Sequence, residues 1–426
     1  MESRKAQNNH RIKQKILKST VRESRKEGIM QSTKEIHEKL EKIKKNTEEI
    51  IRILEETAAS ERFADKTKDT VIPTAKTADG AYGVEWDGSA GGSRLTRKGL
   101  AQLFNDPVPA VSTTSGGHSP FDQIMPWAGM KKYNILDGKV VHSEEDWQFD
   151  MEDYDTVVYI PEFYYTTYKD PESDKQLWAI SATKLEGYAK HPGSGRYVGR
   201  YHTSGGKEWF YSRSGAKPLA NMSQTEFRKY SKAKGEGWYM LDLASWAAIQ
   251  MLYLIEFADF DSQMTLGRGW VAGEAGITGG TDFAQYHTIK ASGAHNQYRW
   301  IEDPFSNVRT WIDGFAGSTE KVYVGLNNDD FAGETEGLEK TGAALPDDGY
   351  IKAFSDAVPW AFIPEDSDYR DARWVPDYAS SYSSLRPAFV GGSYFSFDGC
   401  GLFYFYANLT ASYSDCFLGS RLLFKA

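Results

Sequence analysis

Apolar and small residues recur in alternating steps of four and three from Ile29 to Leu54, at Ile29, Thr33, Ile36, Leu40, Ile43, Thr47, Ile50 and Leu54. This is a heptad seam with isoleucine at every d position and Thr33, Leu40, Thr47 and Leu54 at a, flanked by Glu and Lys, and it predicts a coiled coil. Isoleucine at d packs poorly in a parallel dimer and better among three or four strands, so the expected N-terminal stalk is parallel and trimeric. The two threonines weaken the seam, so the coil is expected to set register and copy number more than stability. A single amphipathic helix folded onto the body would carry the same pattern.

Further along, the period changes. Thr156-Val157-Val158-Tyr159-Ile160 and Phe163-Tyr164-Tyr165-Thr166-Thr167-Tyr168 are β-branched and aromatic runs that predict strands. Ser223-Gln224-Thr225-Glu226 has the spacing of a capping box and predicts a helix running towards Ala233. Asp242 is a good N-cap for a second helix carrying Leu243, Trp246, Ala247, Ile249, Leu252, Leu254 and Phe257, apolar on more than one face and therefore expected to be buried. Residues 58–130 are rich in Gly, Ser, Thr and Pro and predict a connector or small module, with a short helix from Ser93 or Thr96 to Phe104. The expected organisation is a basic N-terminus and coil over 1–57, the connector over 58–130, and one α+β domain over 131–426.

Composition sharpens this picture. The 426 residues hold 25 Tyr, 22 Phe and 12 Trp. Such rings fill β cores, and they also supply large contact area at low entropic cost on a recognition surface. The net charge is −9 overall, while the first 57 residues carry fifteen Lys/Arg against ten Asp/Glu, so the remainder is more acidic than the total. An acidic body repels phosphate backbones, and nucleic acid is not an expected partner. No segment has the roughly 20 continuous apolar residues of a membrane span, and MESRKAQNNHRIKQK lacks the apolar core of a secretory signal. Synthesis and folding in a cytoplasm are expected, without membrane insertion. Cys400 and Cys416 are the two cysteines, too few for a disulfide framework.

The C-terminal block is the most informative stretch. Between Gly391 and Ser420 there is no Lys, Glu, Gln, Met or Trp, although all five are common elsewhere. These are the residues that cannot arise when the first two bases of an Asn codon ending in a pyrimidine are replaced at random. A constant frame is visible around the restricted positions: Gly391-Gly392, Cys400-Gly401-Leu402-Phe403-Tyr404-Phe405, Ala411-Ser412 and Gly419-Ser420-Arg421-Leu422. An ordinary terminal β-hairpin is also rich in glycine and aromatics. In its excluded alphabet, its frame and its position, the block resembles the variable region of proteins diversified by a retroelement, in which reverse transcription scrambles template adenines.

The order VVYIPEFYY, a capped helix, GWYMLDLASWAAI, a late Gly-Gly-Ser-Tyr and a terminal Gly-Ser-Arg-Leu is similar to the C-type lectin fold in its formylglycine-generating-enzyme variant, over roughly residues 150–426. Diversity-generating retroelement variable proteins use that fold, and the best understood are phage tail receptor-binding proteins. The resemblance implies a ligand surface of scrambled sites at Ser393, Phe395, Ser396, Phe397, Asp398, Tyr406, Asn408, Leu409, Tyr413, Asp415, Cys416 and Phe417. It implies a structural frame of Gly391, Gly392, Tyr394, Gly419, Ser420 and Arg421, in which Arg421, with five planar donors, can tie several backbone carbonyls together. The implied partners are a host cell-surface receptor, protein or glycan, and other tail proteins contacted through the N-terminus, in a virion-borne homotrimer with no cofactor and no metal.

Three other functions are compatible with parts of the chain. The fold's namesake variant oxidises cysteine with a closely spaced cysteine pair, but fifteen residues separate Cys400 from Cys416, so no enzyme activity is expected. A calcium-dependent carbohydrate-binding lectin would use Asn327-Asn328-Asp329-Asp330, a run that is more often a turn. A diversified ligand-binding protein of a bacterial host would keep the same variable surface.

Overall fold

The computed structural model describes residues 44–45, 79–108, 117–271, 273–282 and 294–426. The heptad seam and the basic segment before it lie outside the described residues. The chain divides into two compact units, Met1–Glu61 and Arg62–Ala426, and all that follows concerns the second.

That unit is mostly β-sheet with three α-helices among the described residues: α1 (Gln224–Ala233), α2 (Leu243–Phe257) and α3 (Ser262–Leu266). None is long and apolar enough to cross a membrane. The capping box closes in both directions, with Ser223 Oγ accepting from the Glu226 amide at 3.2 Å and Glu226 Oε2 accepting from the Ser223 amide at 3.0 Å. Helix α2 starts where Asp242 accepts from the Ser245 amide and ends at Ala258 in the left-handed region. Every residue of α2 is buried. Its one acidic side chain, Glu256, accepts from the Arg299 guanidinium and, at 3.0 Å, from the Tyr298 hydroxyl. Arg97 donates to the Ile255 and Glu256 carbonyls, occupying acceptors that a helix end leaves open.

Three larger sheets hold most of the strands, and α2 packs against the first. The first has the strand order Thr96–Gly99, Tyr82–Asp87, Lys175–Ser181, Tyr164–Lys169, Ala189–Lys190. The Tyr82–Asp87 strand pairs with Lys175–Ser181 along its whole length, and Ala81, Val84 and Trp86 enter the interior. Residues expected to form a connector therefore build the head from 79 onward. The short helix expected up to Phe104 is instead a strand, Thr96–Gly99, followed by one 3-10 turn, because Gly99 adopts a conformation (φ 57°) that a helix cannot pass through. The two strands expected near 156–168 are present at Asp155–Ile160 and Tyr164–Lys169.

The second sheet runs Trp238–Met240, Leu422–Phe424, Arg196–Gly199, Asp155–Ile160, Lys132–Leu136, Lys139–Ser143. The third runs Pro364–Asp368, Gly349–Phe354, Tyr378–Ser381, Phe405–Ala407, Phe389–Val390, Arg309–Trp311, Leu418–Ser420. The chain end joins both: Leu418–Ser420 lies parallel to Arg309–Trp311 in one, and Leu422–Phe424 lies between two strands of the other. Arg421 is the residue that links them. Its guanidinium donates to the carbonyls of Gly199 (3.0 Å), Arg200 (2.7 Å), Glu302 (2.8 Å) and Asp303 (2.8 Å), the tie that its planar donors predict. It is fully buried, and that burial draws its pKa down to about 10.

Candidate functional site

Two loops leave the third sheet from strands that are paired to one another. The first runs from Gly391 to Tyr404, between the Phe389–Val390 and Phe405–Ala407 strands, and the second from Asn408 to Phe417, leading into Leu418–Ser420. The restricted alphabet of the C-terminal block falls on these loops.

The main chain of the first loop is held from outside itself. Ser306 donates its amide to the Gly391 carbonyl at 2.8 Å, and the Tyr394 amide donates to Asn307 at 3.0 Å. Gln263 donates to the carbonyls of Asp398 (2.8 Å) and Cys400, Gln250 donates to Leu402 at 2.9 Å, and Ser262 Oγ accepts from the Leu402 amide at 2.9 Å. Asp377 accepts from the Phe403 amide at 2.6 Å, and burial pushes its carboxyl far above the usual range. Gly392 (φ 68°) passes so close to Cys400 that a Cβ would stand 2.7 Å from its Sγ. A Cβ on Gly401 would strike the Asp377 carboxylate. None of these bonds uses the side chain of Phe395, Asp398, Tyr413 or Cys416.

The residues from Cys400 to Phe405 are all buried, as are Gly391, Gly392, Gly419, Ser420 and Arg421. By contrast, Phe395 is 64% and Tyr413 38% exposed, and Asp398 and Cys416 are also exposed. Ser396, Tyr406, Asn408, Leu409, Asp415 and Phe417 are half-buried; nothing is described of the Phe397 side chain. Two neighbours exchange the places assigned to them. Ser393, expected on the surface, is buried, and its Oγ accepts from the Phe395 amide at 3.2 Å. Tyr394, expected in the frame, is half-buried, with its hydroxyl donating to Cys416 Sγ at 3.4 Å, so it spans the two loops. Burial, helped by that thiol, raises the Tyr394 phenol to about 12.

The second loop is tied at fewer points. Asn221 donates to the Asp415 carbonyl at 2.9 Å, Thr225 of α1 donates to Ala411 at 3.3 Å, and Asn408 donates to Ser380 Oγ at 2.7 Å. Within it, Asp415 accepts from the Tyr413 hydroxyl (2.9 Å) and from the Cys416 amide (2.6 Å). Across the loops Phe395 and Phe417 stack at 6.4 Å between centroids, while Tyr404 and Tyr406 stack at 4.3 Å beside them. Arg268 pairs with Asp398 at the edge.

Both cysteines are free. Burial pushes the Cys400 thiol well up, which disfavours the thiolate that cysteine chemistry needs, and its Sγ donates to the Gly391 carbonyl at 2.9 Å. The Asn327–Asp330 run is a turn closed by Asn327 Nδ2 on Asp330 Oδ2 at 2.9 Å, with Asp329 Oδ1 taken by the Tyr239 hydroxyl at 2.6 Å. Among the described residues, His295, Glu302 and Asp303 bring metal-ligating atoms within 4.8 Å of one another. Their carboxylate oxygens are already used: Glu302 accepts from the amides of Gly279 and Thr281 (both 2.8 Å), and Asp303 from Asn296 (3.2 Å), Asn307 (2.9 Å) and His295 Nδ1 (2.8 Å). Burial alone would lower the His295 imidazole, but the Asp303 carboxylate against it raises it to about 9. Glu302 and Asp303 also set buried negative charge against the Arg421 guanidinium.

No family model matches the chain, and no curated protein matches it. Among solved structures, it is similar to the M1 variant of Major Tropism Determinant, at 11% identity over 78% of this chain and 74% of that one, with a TM-score of 0.30. It is similar to the I1 variant at 13% identity over 83% and 74%, TM-score 0.29. It is also similar to Treponema denticola variable protein 1, at 11% identity over 70% and 95%, TM-score 0.27. These neighbours are diversity-generating retroelement variable proteins.

Proposed function

We propose that this chain is a hypervariable ligand-binding protein, of C-type lectin fold, that presents retroelement-diversified side chains on the Gly391–Tyr404 and Asn408–Phe417 loops. The observation that carries this reading is the match between alphabet and burial. In a block whose composition fits random replacement of two codon bases, the frame residues Gly391, Gly392, Cys400–Phe405 and Gly419–Leu422 are buried, while Phe395, Asp398, Tyr413 and Cys416 are exposed; of the frame, Tyr394 and Ala411 are half-buried and Ser412 is exposed. The exposed rings of Phe395 and Tyr413 favour a partner that covers them.

The finer reading is a phage tail-tip adhesin, carried on a virion as a homotrimer, docked through its basic N-terminus and binding a receptor on the host surface. Three copies engaging one cell would turn weak single-site affinity into firm attachment. The protein acts by binding, without catalysis or cofactor. The decisive experiment reads the DNA beside the gene. A near-identical repeat of the C-terminal coding segment, differing at adenines that map to the exposed positions, is expected. Differences scattered over the Cys400–Phe405 codons, or no repeat, defeat the reading.

A further inference from the structure

Arg309 stands between the two loops, and its guanidinium meets aromatic rings but no ion-pair partner among the described residues. Its backbone amide donates to the Phe417 carbonyl at 2.9 Å, and it opens the Arg309–Trp311 strand of the third sheet, so its main chain is fixed by the sheet and not by a loop. The guanidinium carbon lies 4.7 Å from the centre of the Phe417 ring, 5.3 Å from Phe389, 5.6 Å from Tyr406 and 5.7 Å from Tyr404. Nε is buried with no hydrogen-bond partner. Among the described residues no carboxylate or carbonyl takes a hydrogen bond from the terminal nitrogens, and the residue is half-buried. Arg196 has Asp242, Arg228 has Asp313, Arg299 has Glu256 and Arg421 has its four carbonyls. Asp415, whose charge is felt at this site, has one oxygen occupied by the Tyr413 hydroxyl and the other by the Cys416 amide.

A guanidinium with aromatic rings on several sides is oriented by them and partly shielded from water, which strengthens any ion pair it forms. Its donors match the two oxygens of a carboxylate as a parallel fork. We propose that Arg309 is a fixed anchor for a carboxylate of the ligand, flanked by the diversified positions Tyr406 and Phe417. This rests on the reading of the two loops as a ligand surface. Arg309 lies outside the restricted block, so the charge it offers is constant while the rings and polar groups around it change. Variants that bind different ligands would share a preference for an acidic group and differ in what they accept beside it.

The test uses the full-length protein and two probes of one shape, benzoate and its neutral counterpart benzamide, by titration calorimetry at low salt. Benzoate is expected to bind at least roughly tenfold more tightly than benzamide, the order of a charge-assisted hydrogen bond, and to weaken in high salt. Arg309→Gln is expected to bind both alike, and Arg309→Lys, which keeps the charge and loses the fork, to fall between. Equal binding of the two probes by the wild-type protein, a measurement independent of any variant's folding, overturns the proposal, as does benzoate binding that Arg309→Gln leaves intact. A panel of short oligosaccharides and peptides, each with and without a carboxylate, separates the sources of the acid. Capture of acidic members of either set that is lost in Arg309→Gln supports the anchor. Capture that ignores both the carboxylate and Arg309 overturns it and leaves the ligand surface standing. Capture lost in Arg309→Gln but untouched by the double change Phe395→Ala and Tyr413→Ala overturns the ligand surface and leaves the anchor.

Discussion

Two stretches of the same thirty residues answer to opposite constraints. From Cys400 to Phe405 every residue is buried, and Ser262, Gln250 and Asp377 hold the backbone. From Ser412 to Cys416 every residue but the half-buried Asp415 is exposed, and the loop is tied to the body mainly by Asn221 and Thr225 through the carbonyls of Asp415 and Ala411. The bonds that tie these stretches to the body use no displayed side chain, while inside the second the Asp415 carboxylate also accepts from the Cys416 amide. Tolerance of substitution therefore follows from which atoms make the anchoring bonds. Backbone groups are present whatever residue is encoded, so a loop pinned through them can change its side chains and keep its shape.

The largest effect that would break this contrast lies at the frame's end. Arg421→Met is expected to destabilise by about 4 kcal/mol, because four buried carbonyls lose their donor at once. The readout is the denaturant midpoint. A loss of under about 1 kcal/mol would mean that the two sheets hold together without their tie, and that the frame is not defined by these bonds.

Next in size is a pH effect in the charge group beneath Arg421. The His295 pKa in the folded protein is raised from 6.5 to about 9. A raised pKa means the folded state holds the proton more tightly, so the added stability is complete below about pH 6.5 and is lost as pH rises through about 9. The span is on the order of 3 kcal/mol. Unfolding midpoints should fall between those limits, and His295→Gln should flatten the fall. A flat wild-type profile would show that Asp303 is balanced by Arg200 and Arg421 alone.

Tyr406 marks where the two regions meet. The sequence places it among the displayed residues, yet it stacks on Tyr404 and lies 5.5 Å from the Phe389 ring, on a strand that pairs on both sides. Tyr406→Ala is expected to cost about 2 kcal/mol, in contrast to the outward rings, since a half-buried stacked ring is removed from a packed site. Thermal melts would place the residue with the frame if this loss appears and with the surface if it does not.

How much of this was legible in the sequence depends on whether the cause was local. The Ser223–Glu226 box and the Asp242 cap are contacts between neighbours, and they form where their spacing puts them. Arg421 was legible through the resemblance that placed it in the structural frame, a place its several planar donors fit. The Thr96–Gly99 strand was not, because its partner Tyr82–Asp87 competes with a weak helical pattern that Gly99 interrupts. The exchange of Ser393 and Tyr394 is a one-residue error in facing that only the turn closed by Ser393 and Ser396 decides. Arg309 left no signal: its setting is assembled from four rings on three other segments, and no spacing in the chain encodes that. The His295, Glu302 and Asp303 group is closer in sequence, but nothing there announces that its atoms will converge in the interior.

The smallest expected effect on stability carries the most functional weight. Phe395 stacks on the half-buried Phe417, and Tyr413 spends its hydroxyl on Asp415 within the same loop. Neither side chain bonds to the backbone that holds the loops, and both are exposed. Replacing each by Ala should change the unfolding free energy by less than about 0.5 kcal/mol, as surface substitutions do. If these rings contact a receptor, the same changes should weaken binding by about 2 kcal/mol or more for whichever ring lies at the centre of the interface. The ratio of the two losses is the measurement that separates display from packing. Loss of binding at constant melting temperature places Phe395 and Tyr413 on the ligand face. Parallel losses of both would mean that the outward rings help to build the fold, and a constant backbone with free side chains would then no longer describe these loops.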